Sequence, residues 1–158
     1  MDISFKTADG VFNYRVAAII LRENKILAMH DERSPYYYLP GGRVSLYETA
    51  ETAILRELKE ELLIDAKIIR PLWLNQSFFT EDVSGEKCHE LCLYFLIDIS
   101  GTDLLQRGDK FTLHERHHIH DFEWLDIHSL KNEYFYPLFL KDAIFELPQN
   151  LTLRSELE

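Results

Sequence analysis

Residues 42–64 read G-R-V-S-L-Y-E-T-A-E-T-A-I-L-R-E-L-K-E-E-L-L-I, and this stretch decides the reading of the whole chain. Gly42 is followed by Glu48, then by the pair Arg56-Glu57, and then by the pair Glu60-Glu61. At about 100° of rotation per residue, Glu57 and Glu61 fall on one helix face, and Glu60 lies within about 100° of arc of both. In the earlier turns that face carries Ala50, Ala53 and Ile54, while Thr52, Arg56 and Lys59 lie on the other side. The carboxylates therefore continue the inward stripe of an amphipathic helix, where a solvated acidic face does not belong. Acidic groups at i,i+4 repel one another and oppose the dipole at a helix C-terminus. A divalent cation held through oxygen is the economical compensation, and beside a glycine turn it points to phosphate chemistry. Glu48 stands instead at the helix start, where a carboxylate is welcome, and it is positioned to pair with Arg56.

This constellation resembles the Nudix box. Gly42, Glu48, Arg56, Glu57, Leu58, Glu60, Glu61 and Ile64 match its pattern, and Leu63 stands where a second glycine is expected. The preceding Tyr38-Leu39-Pro40-Gly41 is similar to the family's entry turn. The resemblance implies an α/β fold, an α/β/α sandwich with a mixed β-sheet, and hydrolysis of a nucleoside diphosphate linked to another moiety, X. It implies Glu57, Glu60 and Glu61 as metal ligands, with Glu57 the simplest general base. It also implies the Gly41 carbonyl as a further ligand, Glu48 with Arg56 as a bracing ion pair, and Mg²⁺ as cofactor with Mn²⁺ as an alternative. Leu63 is expected to change how the helix ends, by lengthening it or redirecting the loop, because the left-handed conformation costs a leucine about 1–2 kcal/mol.

The family often supplies one more glutamate from across the site. Glu115, in a polar stretch 113–121 read as a loop, competes here with Glu90, an isolated charge between Cys88 and Cys92. Glu115 is favoured because loops at sheet ends carry catalytic groups. Candidate substrate contacts are Arg43 and Arg15 for phosphate, and Tyr36 and Phe78 for stacking on a base. His114, His117, His118 and His120 are read as a solvated loop rather than a zinc site, since no cysteine joins them.

Composition fits a single domain of 158 residues, 46% apolar, with 6 glycines and 5 prolines. A net charge of −10 disfavours long nucleic acid and leaves a small nucleotide as the expected partner. No membrane partner is expected, and a homodimer is left open. Cys88 and Cys92 sit four apart on a predicted strand, too far to bridge, so reduced thiols and a cytoplasmic location are expected. The first residues lack a basic segment followed by an apolar run, so no signal peptide is read there.

Outside the helix, read as roughly 48–62, the periodicity predicts a hairpin from strands 16–21 and 25–29 and a short strand at 36–39. Further strands are predicted at 66–74, 76–80, 87–99 and 122–125, with helical turns at 129–130 and 137–146. The domain is read as 1–148, with 149–158 a loosely held polar tail.

The tags for particular substrates do not decide X. ADP-ribose-like and nucleotide-sugar substrates come first, and noncanonical or oxidised nucleoside triphosphates second. A catalytically idle nucleotide sensor keeps the fold but degrades the box, and every acidic position is present here. An isoprenyl diphosphate isomerase requires a cysteine in the pocket, for which Cys88 and Cys92 are read as poorly placed. A messenger-RNA cap hydrolase is disfavoured by the charge.

Overall fold

The computed structural model describes residues 1–157. Among the described residues, ten strands form two sheets. The larger takes β1 (Ser4–Thr7), β2 (Gly10–Ile19), β5 (Gly41–Arg43), β6 (Lys67–Thr80), β7 (Lys87–Asp98) and β10 (Thr152–Leu157) in the order β1-β2-β7-β6-β10, with β5 paired to β2. It is mixed, because β2–β7 and β10–β6 run parallel and the other pairs antiparallel. The smaller sheet, antiparallel throughout, orders β3 (Leu21–Arg22), β4 (Lys25–Asp31), β9 (His118–Asp126) and β8 (Lys110–Glu115) as β3-β4-β9-β8.

Period-two alternation divides the apolar residues between two cores. Val16, Ala18 and Ile20 face one side together with Leu27, Met29, Phe122 and Trp124, and α1 (Ala50–Leu62) covers them with Ala53, Ile54, Leu58 and Leu62. Ala17, Ile19, Ile26, Ala28, Trp73 and Tyr94 face the other side, under Leu130, Phe139 and Leu140. Those three come from a 3₁₀ segment, Ile127–Asn132, and from the short α2 (Leu140–Ala143) with its N-cap. The result is the expected α/β/α sandwich with a mixed sheet, drawn from two sheets rather than one.

Several local expectations change. Of the predicted hairpin strands 16–21 and 25–29, residues 16–19 belong to the larger sheet, and the chain crosses at Ile20, so that the hairpin is formed by β3, where Leu21 pairs with Ile26, and β4. Segments 66–74 and 76–80 are one continuous strand, because the irregularity around Pro71 is absorbed as register shifts rather than a break. Residues 36–39 make isolated bridges from Tyr37 and Tyr38 only. Stretch 113–121 is no loop, since His114 pairs with Ile119 and Glu115 with His118 in the β8–β9 hairpin.

The segment 149–158 is not loosely held over its described residues. Thr152–Leu157 pairs in parallel with β6 from Trp73 to Phe78. Glu156 Oε2 accepts from the Phe139 N–H at 2.8 Å, and the Arg154 guanidinium lies 4.6 Å from the Phe139 ring centroid. The exposed backbone edge of β6 is what a polar segment of alternating character can satisfy.

Candidate active site

The site is built where β5 passes under the end of α1. β5 is held against β2 with Arg43 opposite Arg15 and Gly41 opposite Ala17. Two glycines are needed there for different reasons. A Cβ on Gly41 would lie 2.1 Å from the Val16 carbonyl oxygen, and φ of 154° already disfavours a side chain. A Cβ on Gly42 would lie 2.3 Å from Glu57 Oε1, so this glycine makes room for a carboxylate.

α1 begins at Thr49, whose side chain accepts from the Thr52 N–H at 3.1 Å. It ends at Leu62, and Leu63 itself takes the left-handed conformation with φ 57° and ψ 39°. The helix neither lengthens nor redirects. The Leu63 N–H caps the Lys59 carbonyl, and Arg107 Nη1 donates to the Leu62 carbonyl at 2.6 Å. Leucine bears the strain with its side chain in solvent, so the geometry of a terminal glycine is kept.

The three box carboxylates differ in environment. Glu61 is buried, at 7% exposure, Glu57 is half-buried and Glu60 is exposed. Glu61 Oε1 accepts from the Gly41 N–H at 2.9 Å. Burial pushes the Glu61 carboxyl well above the usual carboxylate range, and the neighbouring Glu57 adds to this. Burial raises Glu57 as well, against the opposing pull of Arg56. Arg56 grips Glu48 through two bonds, Nε to Oε2 at 2.7 Å and Nη2 to Oε1 at 2.9 Å. Its Nη1 reaches Glu57 Oε1 at 2.9 Å, and its Nη2 also donates to the Arg43 carbonyl at 3.1 Å. Glu48 in turn accepts from the Ser45 N–H at 3.0 Å. These bonds tie the helix, the loop before it and β5 into one unit.

Glu115 and Glu90 are brought to different places. Glu115, at the end of β8, joins Glu61 and His120, each offering a ligand atom within 4.8 Å of the others. Glu90, on β7, lies outside that group and accepts from Asn13 Nδ2 at 3.0 Å. The solvated-loop reading of the four histidines is corrected for His120. It is buried at 6% exposure, and its Nδ1 has no hydrogen-bond partner, 3.6 Å from Glu115 Oε2. Its distance in sequence from the box left no local signal. A buried carboxylate and a partly exposed one, joined by an orphaned imidazole nitrogen, form a donor set that suits a divalent cation.

A cavity of about 460 Å³ lies against β5 through Arg43, and Glu57, Glu60 and Glu61 are not on its wall. Arg15 and Arg43 line it, as does Tyr36, whose hydroxyl donates to Glu81 at 3.2 Å. Phe78 does not. The alternation of β6 turns it toward His89, ring centroids 4.3 Å apart, and gives the cavity Ser77 and Phe79 instead. Asp31 and Arg33, which no motif announced, form a wall with Tyr38 of the entry turn, Asp31 Oδ2 accepting from Arg33 Nη2 at 2.8 Å and from the Tyr38 hydroxyl at 3.1 Å. Cys88 and Cys92 also line the cavity, contrary to expectation, because both lie on the inward face of β7. Burial pushes both thiols up, Cys92 to about 12, so neither is an activated thiolate.

A family model described as NUDIX domain matches residues 11–143. An ADP-ribose pyrophosphatase of Methanocaldococcus jannaschii is 32% identical over 97 residues, covering 60% of this chain and 54% of the relative. Putative nudix hydrolase 1 of Caenorhabditis elegans is 31% identical over 126 residues, covering 75% of this chain and 30% of the relative. The chain thus aligns with about half of the first relative's length and less than a third of the second's. The structure of a NUDIX hydrolase from Nitrosomonas europaea superposes with a TM-score of 0.59 at 18% identity, covering 90% of this chain and 78% of that one. No helix among the described residues is long and apolar enough to cross a membrane.

Proposed function

The chain belongs to the Nudix family, and from that premise we propose that it hydrolyses the diphosphate bond of a nucleoside diphosphate linked to X, ADP-ribose or a nucleotide sugar being the favoured class. The observation that carries this reading is the meeting, across Gly41–Arg43, of an acidic helix end with a cavity of mixed charge. Three arginines on its wall, Arg15, Arg33 and Arg43, suit a diphosphate. Six carboxylates share that wall: Asp31, Glu81, Asp82, Glu86, Glu90 and Glu156. Those carboxylates suit the hydroxyls of a second sugar and would repel the extra charge of a triphosphate. The name of the Methanocaldococcus relative, an ADP-ribose pyrophosphatase, supports the same class.

A divalent cation, Mg²⁺ or Mn²⁺, held by Glu57, Glu60, Glu61 and the Gly41 carbonyl would neutralise the diphosphate and make a bound water more acidic. The remaining work falls to the chain itself. Glu57, placed on Gly42 with no side chain between, takes the proton of the attacking water. The water oxygen bonds to one phosphorus, the bridging P–O bond breaks, and the other phosphate leaves with the bridging oxygen. Arg15 and Arg43 hold the phosphates, and Tyr36 offers its ring to the base. Arg56 and Glu48 keep Glu57 and β5 in register with one another.

The test is a panel of ADP-ribose, nucleotide sugars, dinucleoside polyphosphates and oxidised nucleoside triphosphates, each with Mg²⁺ and with Mn²⁺. Release of a nucleoside monophosphate and a phosphorylated X from ADP-ribose or a nucleotide sugar is expected. Preferential release of pyrophosphate from a triphosphate would reverse the order of substrates. No phosphorus-containing product from any member would make the protein a nucleotide sensor.

A further inference from the structure

His120 is unlike the other histidines of its hairpin. His114 and His117 are exposed, and His118 bonds to Glu32 through Nδ1 at 3.2 Å. His120 is enclosed, and its Nδ1 has no hydrogen-bond partner. A buried polar nitrogen left unpaired is costly, so its retention needs a reason. Its neighbour Glu115 Oε2, at 3.6 Å, is beyond ordinary hydrogen-bond length. The third member, Glu61, is a buried carboxylate whose one recorded hydrogen bond is from the Gly41 N–H. Ligand atoms of the three lie within 4.8 Å of one another, close to the span of about 4.3 Å that two ligands of a single ion can bridge.

We infer that Glu61, Glu115 and His120 form a mixed nitrogen–oxygen site for one first-row transition-metal ion, with the His120 imidazole as a direct ligand. Carboxylates alone suit Mg²⁺ and Mn²⁺, whereas imidazole adds affinity for the later ions, from Fe²⁺ to Zn²⁺, and little for Mg²⁺. His120 thereby biases the site toward a transition ion, a preference that the acidic helix by itself does not carry. The three residues come from α1, β8 and β9, so ion binding ties the helix end to the smaller sheet. Glu61 is shared with the hydrolytic centre, so the inference rests in part on that reading.

The test is pulsed electron paramagnetic resonance of the full chain with one equivalent of Mn²⁺, read for ¹⁴N coupling from a coordinated imidazole. Coupling is expected in the native protein and in His117→Ala and His118→Ala, and is expected to vanish in His120→Ala. The same substitution should weaken Zn²⁺ binding by about tenfold or more and change Mg²⁺ binding less than about threefold. If circular dichroism shows His120→Ala to be unfolded, His120→Gln serves, since it keeps a polar side chain without imidazole. Absence of coupling in the native protein, or coupling that survives loss of His120, overturns the inference. Metal-dependent hydrolysis without ¹⁴N coupling would overturn it and leave the proposed function standing. Coupling without hydrolysis of any panel member would do the reverse.

Discussion

The Gly41 N–H donates a 2.9 Å hydrogen bond to Glu61 Oε1, joining the glycine turn before α1 to the carboxylate at its far end. That bond and the bond from Arg56 Nη2 to the Arg43 carbonyl fix β5 to the helix at two points, and the Arg56–Glu48 pair adds the segment between them. The glycine pair, the ion pair and the carboxylates are therefore parts of one rigid object, and disturbing one should disturb the others in a graded way.

Substitution of the two glycines should separate chemistry from folding. In Gly42→Ala the new Cβ meets the end of a flexible side chain, Glu57, which can move aside. We expect stability within about 1 kcal/mol of the native protein and turnover lower by about 10²-fold. In Gly41→Ala the Cβ meets the Val16 backbone, which cannot move aside, and φ is unfavourable as well. That variant should lose about 2–4 kcal/mol. Thermal denaturation and turnover of both variants check the contrast, and equal stability losses would refute it.

Leu63→Gly should stabilise the protein. The left-handed residue gives back about 1–2 kcal/mol of strain, against about 0.4–1 kcal/mol of extra unfolded-state entropy. A net gain of about 0.5–1 kcal/mol corresponds to a melting temperature higher by about 1–4 °C. Turnover should stay within about threefold, because Glu57, Glu60 and Glu61 precede the substitution and the helix end is unchanged. A lower melting temperature would mean that the exposed leucine makes a contact worth more than its strain.

What could be read from the sequence was what is local. Glu57, Glu60 and Glu61 lie within one turn and a half of one helix, where the period fixes relative position. The Arg56–Glu48 pair followed from the same spacing. His120 was not legible, because its partners Glu61 and Glu115 come from two other elements, and nothing local gives their register. Phe78 was assigned to the wrong side for a related reason. Both Phe78 and Phe79 are apolar, and the register shifts around Pro71 erase the phase that alternation would otherwise carry along β6. β10 was missed because its burial is slight, and its place is set by the open edge of β6 rather than by an apolar pattern.

The role of that edge strand can be measured. Removing residues 149–158 takes away the parallel pairing with β6, the Glu156–Phe139 bond and one wall residue of the cavity. We expect a loss of about 2 kcal/mol, seen as a melting temperature lower by about 4–8 °C, together with a raised KM. A melting temperature within about 1 °C of the native value would show the strand to be dispensable.

Glu115→Gln and Glu90→Gln should part company. Glu115 stands with Glu61, so its loss should lower turnover by about 10²-fold or more with little change in stability. Glu90 is bonded to Asn13 on the cavity wall, so its loss should act mainly on KM. The reverse pattern, with kcat falling in Glu90→Gln alone, would move the extra carboxylate to β7.

Hydrolysis by the carboxylates at the end of α1 is the assignment on which the proposed mechanism depends. Its most direct test is turnover by Glu60→Gln and Glu61→Gln, on the best substrate of the panel, with folding verified by thermal denaturation. Glutamine at 61 keeps an oxygen for the Gly41 N–H and relieves repulsion with Glu57, so the fold should survive or gain slightly. Metal-dependent turnover should fall by about 10²-fold or more in both variants, and unchanged turnover in both would contradict the assignment.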